Sequence, residues 1–349
     1  MYNDTIDDQE AEYQFYLAIV NSMMNYKISI VSIESTTLSK SSQTSTGSTQ
    51  VDYVAAHPTG NYLYVTNPGS QRILMYKVVT NGTLEVLGTG FINTTDGGGP
   101  GGTPGVIKVH PSGNYAFVAN AGTSFNISRY LIDSAGTLTF QDYISPGASA
   151  TSSRMVIDKS ATYLYWVSNN AGGNVLQQVE ISGSLIIDKT VSYASNTPRD
   201  VAVHPNGQYI YVTVDGTIYL YYSNDIPTSH GSIAGDGMLT IHPNGKFLYT
   251  DDDSNVKVYQ INADGTLTDL NNSTPVQADV KDFIIDTNGN YLIASGRGSD
   301  SIEYLKINAD GTTSPIQYYD GGFGHYPNAL DGYRSSPCGL ALINRQKIK

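Results

Sequence analysis

Four of the six histidines recur in one local setting, at the head of His57-Pro58-Thr59-Gly60, His110-Pro111-Ser112-Gly113, His204-Pro205-Asn206-Gly207 and His242-Pro243-Asn244-Gly245. Imidazoles are the commonest metal ligands, but Pro fixes φ and Gly supplies turn conformations in all four copies, so turn chemistry accounts for these side chains. The run Asp251-Asp252-Asp253 could gather a hard cation through carboxylate oxygens, with Asp251 and Asp253 as its ligands. It lacks the glycine and closing Glu of a calcium loop and reads as a solvated acidic turn. The glycines of Gly97-Gly98-Gly99-Pro100-Gly101-Gly102 are followed by no Gly-Lys-Ser/Thr, so they form a connection and not a phosphate cradle. One long loop, Tyr318 to Pro337, brings together His325, Tyr326, Tyr333 and Arg334, a mixture suited to binding a ligand. No cofactor is expected from any of these patterns.

The elements that must position such groups repeat along the chain. The stretches from His57 to Asn67 and from His110 to Asn120 are near copies, and weaker copies begin at Asp158, His204, His242 and Asp286. The intervals run from 38 residues, His204 to His242, up to 53, His57 to His110, the range of a four-stranded propeller blade. Within each unit an apolar run such as Val106-Ile107-Lys108-Val109 enters the turn as strand A. Strand B follows with aromatics at alternate positions, as in Tyr62 and Tyr64, Tyr115 and Phe117, or Tyr209 and Tyr211. Alternation places these rings on one face of a sheet and aliphatics such as Leu63 and Val65 on the other. A sheet apolar on both faces belongs between two neighbours. Strand C, as in Arg72 to Val78 or Asn255 to Ile261, leads into hairpins such as Ala135-Gly136-Thr137 and Asp264-Gly265-Thr266, and a short strand D completes the unit.

The chain ends set the number of units. Tyr16 to Asn21 reads as a strand B and Tyr26 to Ile33 as a strand C, with no strand A before them; Cys338 to Ile343 reads as a strand A with no B after it. Six internal units and one split unit predict an all-β, seven-bladed propeller of four-stranded antiparallel blades, closed by N- and C-terminal strands sharing one blade. The expected propeller covers residues 13–343, between an acidic segment, 1–12, and a tail, 344–349.

The Tyr64-Val65-Thr66-Asn67 stretch, the Pro-x-Gly-x-Tyr units and the Asp-Gly-Thr-Leu hairpin at 264–267 resemble the YVTN-repeat and lactonase group of seven-bladed propellers, which includes bacterial 6-phosphogluconolactonases and fungal carboxymuconate lactonizing enzymes. The resemblance implies a site at the mouth of the central channel. It would use a His and an Arg at the starts of two successive A strands, an acid in the B–C loop of the Arg blade and a second Arg on a later A strand. Arg199 matches the first Arg, and Asp215 falls at the acid. Lys281 takes the second Arg position, keeping charge but not the planar fork. Ser153, beside Arg154, takes the position of the His. Arg154 therefore joins His325, Tyr326 and Arg334 as a candidate ligand-binding residue at the channel mouth.

With the proton-transfer His replaced, the expected function is a non-enzymatic binding or interaction scaffold for a protein or glycan, exported or surface-displayed, with any export signal outside this sequence. The alternative is a lactone hydrolase acting on an anionic sugar or muconate lactone at the channel mouth. A formal net charge of −12 argues against a nucleic-acid partner. No apolar run is long enough for a helical membrane span, and a single cysteine, Cys338, allows no internal disulfide.

Overall fold

A computed structural model describes residues 13–22, 27–34, 37–47, 50–79, 82–121, 126–145, 152–169, 173–194, 196–252, 254–276, 280–296, 301–319 and 336–346. It is a seven-bladed β-propeller of four-stranded antiparallel sheets. Blade 1 combines 13–45 with 336–346; blades 2 to 7 span 54–93, 103–144, 152–192, 198–234, 239–275 and 280–319. Closure follows the predicted register: Tyr16 pairs with Ile343, Leu17 with Leu342, Ala18 with Ala341 and Ile19 with Leu340. The closing strand, Ser336–Gln346, runs three residues past the end predicted from sequence. Joining the two ends hides the edges that an open ring would expose.

The alternation in strand B sorts side chains between seams. Leu63 and Val65 pack with Tyr16, Ala18 and Ile30 of blade 1, whereas Tyr64 packs with Ile107, Val118 and Tyr130 of blade 3. In blade 5, Ile210 and Val212 face Val167 of blade 4, while Tyr211 joins Leu239, Leu248 and Tyr259 of blade 6. The core is thus a ring of separate interblade layers.

Polar braces reinforce these layers. The turn histidines reach to the next blade: Nε2–H of His57 donates to the carbonyl of Gly113 at 2.9 Å, and His204 does the same to Gly245 and His242 to Gly289, each at 2.8 Å. Nδ1 of the same rings accepts from backbone N–H in their own turns, which sets the tautomer. A second brace comes from strand B, where the buried hydroxyls of Tyr64, Tyr211 and Tyr249 donate to the carbonyls of Gly136, Gly265 and Gly311 at 2.7–3.0 Å. Each bond should contribute about 1 kcal/mol. The three lie at different seams and should add, so the triple Tyr→Phe variant should lose roughly 3 kcal/mol in urea unfolding. An unchanged midpoint would show that the braces carry no stability.

Candidate functional site

The A strands line the central channel, and their starts decide which side chains enter it. Position the blades by their turn residues, and the place four residues earlier holds Tyr53, Val106, Arg154, Asp200, Met238 and Asp282 in blades 2 to 7. Five of these line a central cavity of ≈ 270 Å³, together with Lys108 and Thr240. Met238 contributes as a contact of Arg154.

Arg154 spans the channel from blade 4. One terminal nitrogen donates to the hydroxyl of Tyr53 in blade 2. The other donates to the Lys281 carbonyl of blade 7 at 2.9 Å and contacts the Met238 sulfur of blade 6 at 3.4 Å. The guanidinium carbon lies 5.1 Å from the Tyr53 ring centre, within cation–π range. Burial opposes its charge, but Tyr53, Asp200 and Asp282 more than offset this and raise its pKa above the ordinary arginine value.

Asp200 is buried beside it. Burial pushes its carboxyl up to about 6, although Arg154 and the backbone N–H groups of Leu239 and Val201 pull in the other direction. Those amides donate to its two oxygens at 2.8 Å each. The site therefore holds a carboxylate titrating near neutrality and a permanent cation, both within a cavity built from six blades. Such a pair can take a proton from water and stabilise a developing oxyanion.

Of the positions carried over from sequence, Ser153, Arg199 and Lys281 directly precede Arg154, Asp200 and Asp282 in the chain. Arg199 and Lys281 are the extra residues of β-bulges: Pro198 pairs with Val214 and Asp200 with Thr213, while Val280 pairs with Gly296 and Asp282 with Ser295. A bulge re-aims the side chains around it, and here Asp200 and Asp282 are the residues that line the cavity. Arg199 instead forms an exposed ion pair with Asp236 at 3.2 Å. Asp215, exposed, opens the two-residue Asp215-Gly216 turn with φ of 43° and 80°, the backbone a tight hairpin of this kind requires. Its carboxylate accepts from Thr197 N at 3.0 Å and so ties the approach to blade 5. Ser153 pairs with Ser168 without a bulge, which leaves Arg154 opposite Val167. Lys281 meets Arg154 through its own carbonyl.

His325, Tyr326, Tyr333, Arg334 and Asp253 lie outside the described residues. Asp251 is buried and accepts from Met238 N at 2.7 Å, a structural tie at the start of a channel strand. Among the described residues no group of three or more candidate metal-binding side chains occurs, and no helix is long and apolar enough to cross a membrane. His230 stacks on Tyr222 at 3.9 Å and contacts Asp225 at 2.8 Å within blade 5.

A family model described as a lactonase, seven-bladed beta-propeller, matches residues 19–217 and 232–331. Among solved structures the chain is similar to a putative 6-phosphogluconolactonase from Bacteroides fragilis, at 18% identity, a TM-score of 0.74 and coverage of 95% of this chain and 98% of that one. A putative 6-phosphogluconolactonase from Bacteroides uniformis gives 17% identity and a TM-score of 0.75, covering 95% and 99%. The periplasmic gluconolactonase of Pseudomonas aeruginosa gives 15% identity and a TM-score of 0.72 over 95% and 99%. No curated protein matches the sequence.

Proposed function

The chain belongs to the lactonase family of seven-bladed β-propellers, and from that membership we propose that it is a lactone hydrolase working inside the central channel. The observation that carries the reading is Asp200, a buried carboxyl lining the cavity with its pKa near 6 and the Arg154 guanidinium among the charges acting on it. A general base performs best when it titrates near the working pH. In the proposed reaction the Asp200 carboxylate takes a proton from water as the water oxygen bonds to the lactone carbonyl carbon. The resulting oxyanion is stabilised by Arg154. Its collapse breaks the ring C–O bond, and the proton on Asp200 passes to the departing alkoxide, giving an open-chain hydroxy acid.

The substrate proposed is a small lactone with an anionic end, a phosphorylated sugar lactone or a muconate lactone. Arg199 and Lys281 would orient that end at the rim. The Arg199–Asp236 pair is exposed, so exchanging the partner for a substrate anion costs little. Asp215 would act as a rim acid in support of Asp200. The expectation of a non-enzymatic scaffold finds no support in the family match or the structural neighbours, which favour the hydrolase reading.

A panel containing 6-phosphogluconolactone, gluconolactone and a muconolactone tests the proposal. The wild type should turn over at least one anionic lactone above the buffer rate. Arg199→Ala should raise KM for that lactone by about tenfold, the value of one charge-assisted contact. No turnover above buffer with any lactone would end the proposal.

A further inference from the structure

On the face opposite the channel mouth, the seam between blades 4 and 5 departs from the four seams that a turn histidine bridges; blade 7 likewise carries an aspartate, Asp286, that bonds its own turn. At four seams a turn histidine bridges to the next blade, from His57 to Gly113, His110 to Ala161, His204 to Gly245 and His242 to Gly289. Blade 4 carries Asp158 in that place. Its carboxylate folds back onto its own turn, accepting from Thr162 N at 2.9 Å, Tyr163 N at 2.8 Å and the Ser160 hydroxyl. The turn glycine that a histidine would cover is Gly207, and it is open. A Cβ added at Gly113, Gly245 or Gly289 would lie 2.4–2.6 Å from the neighbouring imidazole, whereas one at Gly207 would meet nothing within 4 Å.

The second brace is missing at this seam too, as it is between blades 3 and 4, where a Cβ added at Gly183 would meet nothing within 4 Å. The rings of Tyr62, Tyr209 and Phe247 lie against hairpin glycines of the next blade, where an added Cβ at Gly136, Gly265 or Gly311 would fall 2.3–2.6 Å from the ring. Tyr163 holds the equivalent place in blade 4, but the hairpin of blade 5, Ser223 to Thr228, contains no glycine. The Tyr165 hydroxyl accepts from Gln178 of its own blade, where Tyr64, Tyr211 and Tyr249 donate across the seam. The family match is interrupted at the same hairpin, between residues 217 and 232.

The result is a cleft of ≈ 360 Å³ walled by Asp158, Lys159, Tyr163, Asn206, Gly207 and Ser223, among others. That volume is in the range of small-molecule sites. We propose that this cleft binds a neutral saccharide ring. One acid and one base balance each other, hydroxyl and amide groups offer both donors and acceptors, and the Tyr163 ring supplies a flat apolar wall. This combination suits a ligand with hydroxyls on its edge and C–H bonds on its face. An anion would meet Asp158 without a surplus of positive charge. The inference does not depend on the channel chemistry, so either can fail alone.

Ligand-observed saturation-transfer NMR with methyl α-glucopyranoside and N-acetylglucosamine at millimolar concentration tests it. Wild type should transfer saturation to at least one of them. Asp158→His, which installs the imidazole found at four other seams, should reduce the signal at least fivefold while leaving any lactone turnover unchanged. The double variant Lys159→Ala/Asn206→Ala, with both residues exposed, should do the same if Asp158→His does not fold. Absence of transfer in wild type, full transfer in a folded variant, or displacement of the glycoside by inorganic phosphate would each overturn the proposal.

Discussion

Asp200→Asn should lower the rate of lactone opening by a hundredfold to ten-thousandfold, the usual contribution of a positioned general base, with KM changed little. The wild-type kcat/KM should climb with pH through about 6, where the Asp200 carboxyl loses its proton, and then level off. The residual activity of the variant should show no such limb. Stability should move independently. The folded protein holds the Asp200 proton more tightly than an ordinary carboxyl would, so this group's contribution to stability falls as pH rises from about 4 to about 6. Asn removes the buried charge and keeps an oxygen for one of the Leu239 and Val201 amides. Because the other amide then faces an NH2 donor, the variant should be less stable than wild type by about 1–3 kcal/mol at pH 7 while still folding. A variant that keeps its activity, or that loses activity only because it unfolds, would remove Asp200 from the chemistry.

The second large effect concerns Arg154. Arg154→Met fills similar length but leaves Asp200 and Asp282 without the cation that acts on both. Leaving a buried carboxylate without the opposing charge costs about 1–3 kcal/mol, and the hydrogen bonds that Arg154 makes to Tyr53 and the Lys281 carbonyl are lost as well. Removing Arg154 should raise the Asp200 pKa further, because Arg154 is the largest of the influences that lower it. The deficit should accordingly be greatest at pH 7.5 and shrink near pH 5, where protonation relieves the unpaired charge. Denaturant midpoints of wild type and variant at the two pH values measure this. An equal deficit at both would mean that Arg154 acts through packing alone.

The ring was legible because its determinants are local and repeated. His-Pro-x-Gly turns and alternating aromatics mark strands A and B, and the incomplete patterns at Tyr16 and Leu340 could be satisfied only by each other. The site was less legible because alignment by repeat carries residue positions but not bulges. Arg199 and Lys281 occupy the expected places in the sequence, yet one extra residue in each strand leaves Asp200 and Asp282 lining the cavity. The signal was present in the column four residues before each turn, where Arg154, Asp200 and Asp282 are charged among otherwise uncharged neighbours. Asp215 carries a structural role as well: its Asp-Gly context reports a tight turn, and the carboxylate closes a backbone contact to Thr197. The turn histidines' structural role is visible in their repeated His-Pro-x-Gly setting. Their role as bridges between blades, and the gap left where Asp158 replaces one, depend on contacts that no single repeat contains.

A crystal structure of the protein soaked with the open-chain hydroxy acid of its best lactone would test the channel chemistry most directly. The expected complex places the product carboxylate inside the central cavity, within hydrogen-bonding reach of Arg154 and Asp200. Product bound elsewhere, with those two side chains untouched, would contradict the assignment.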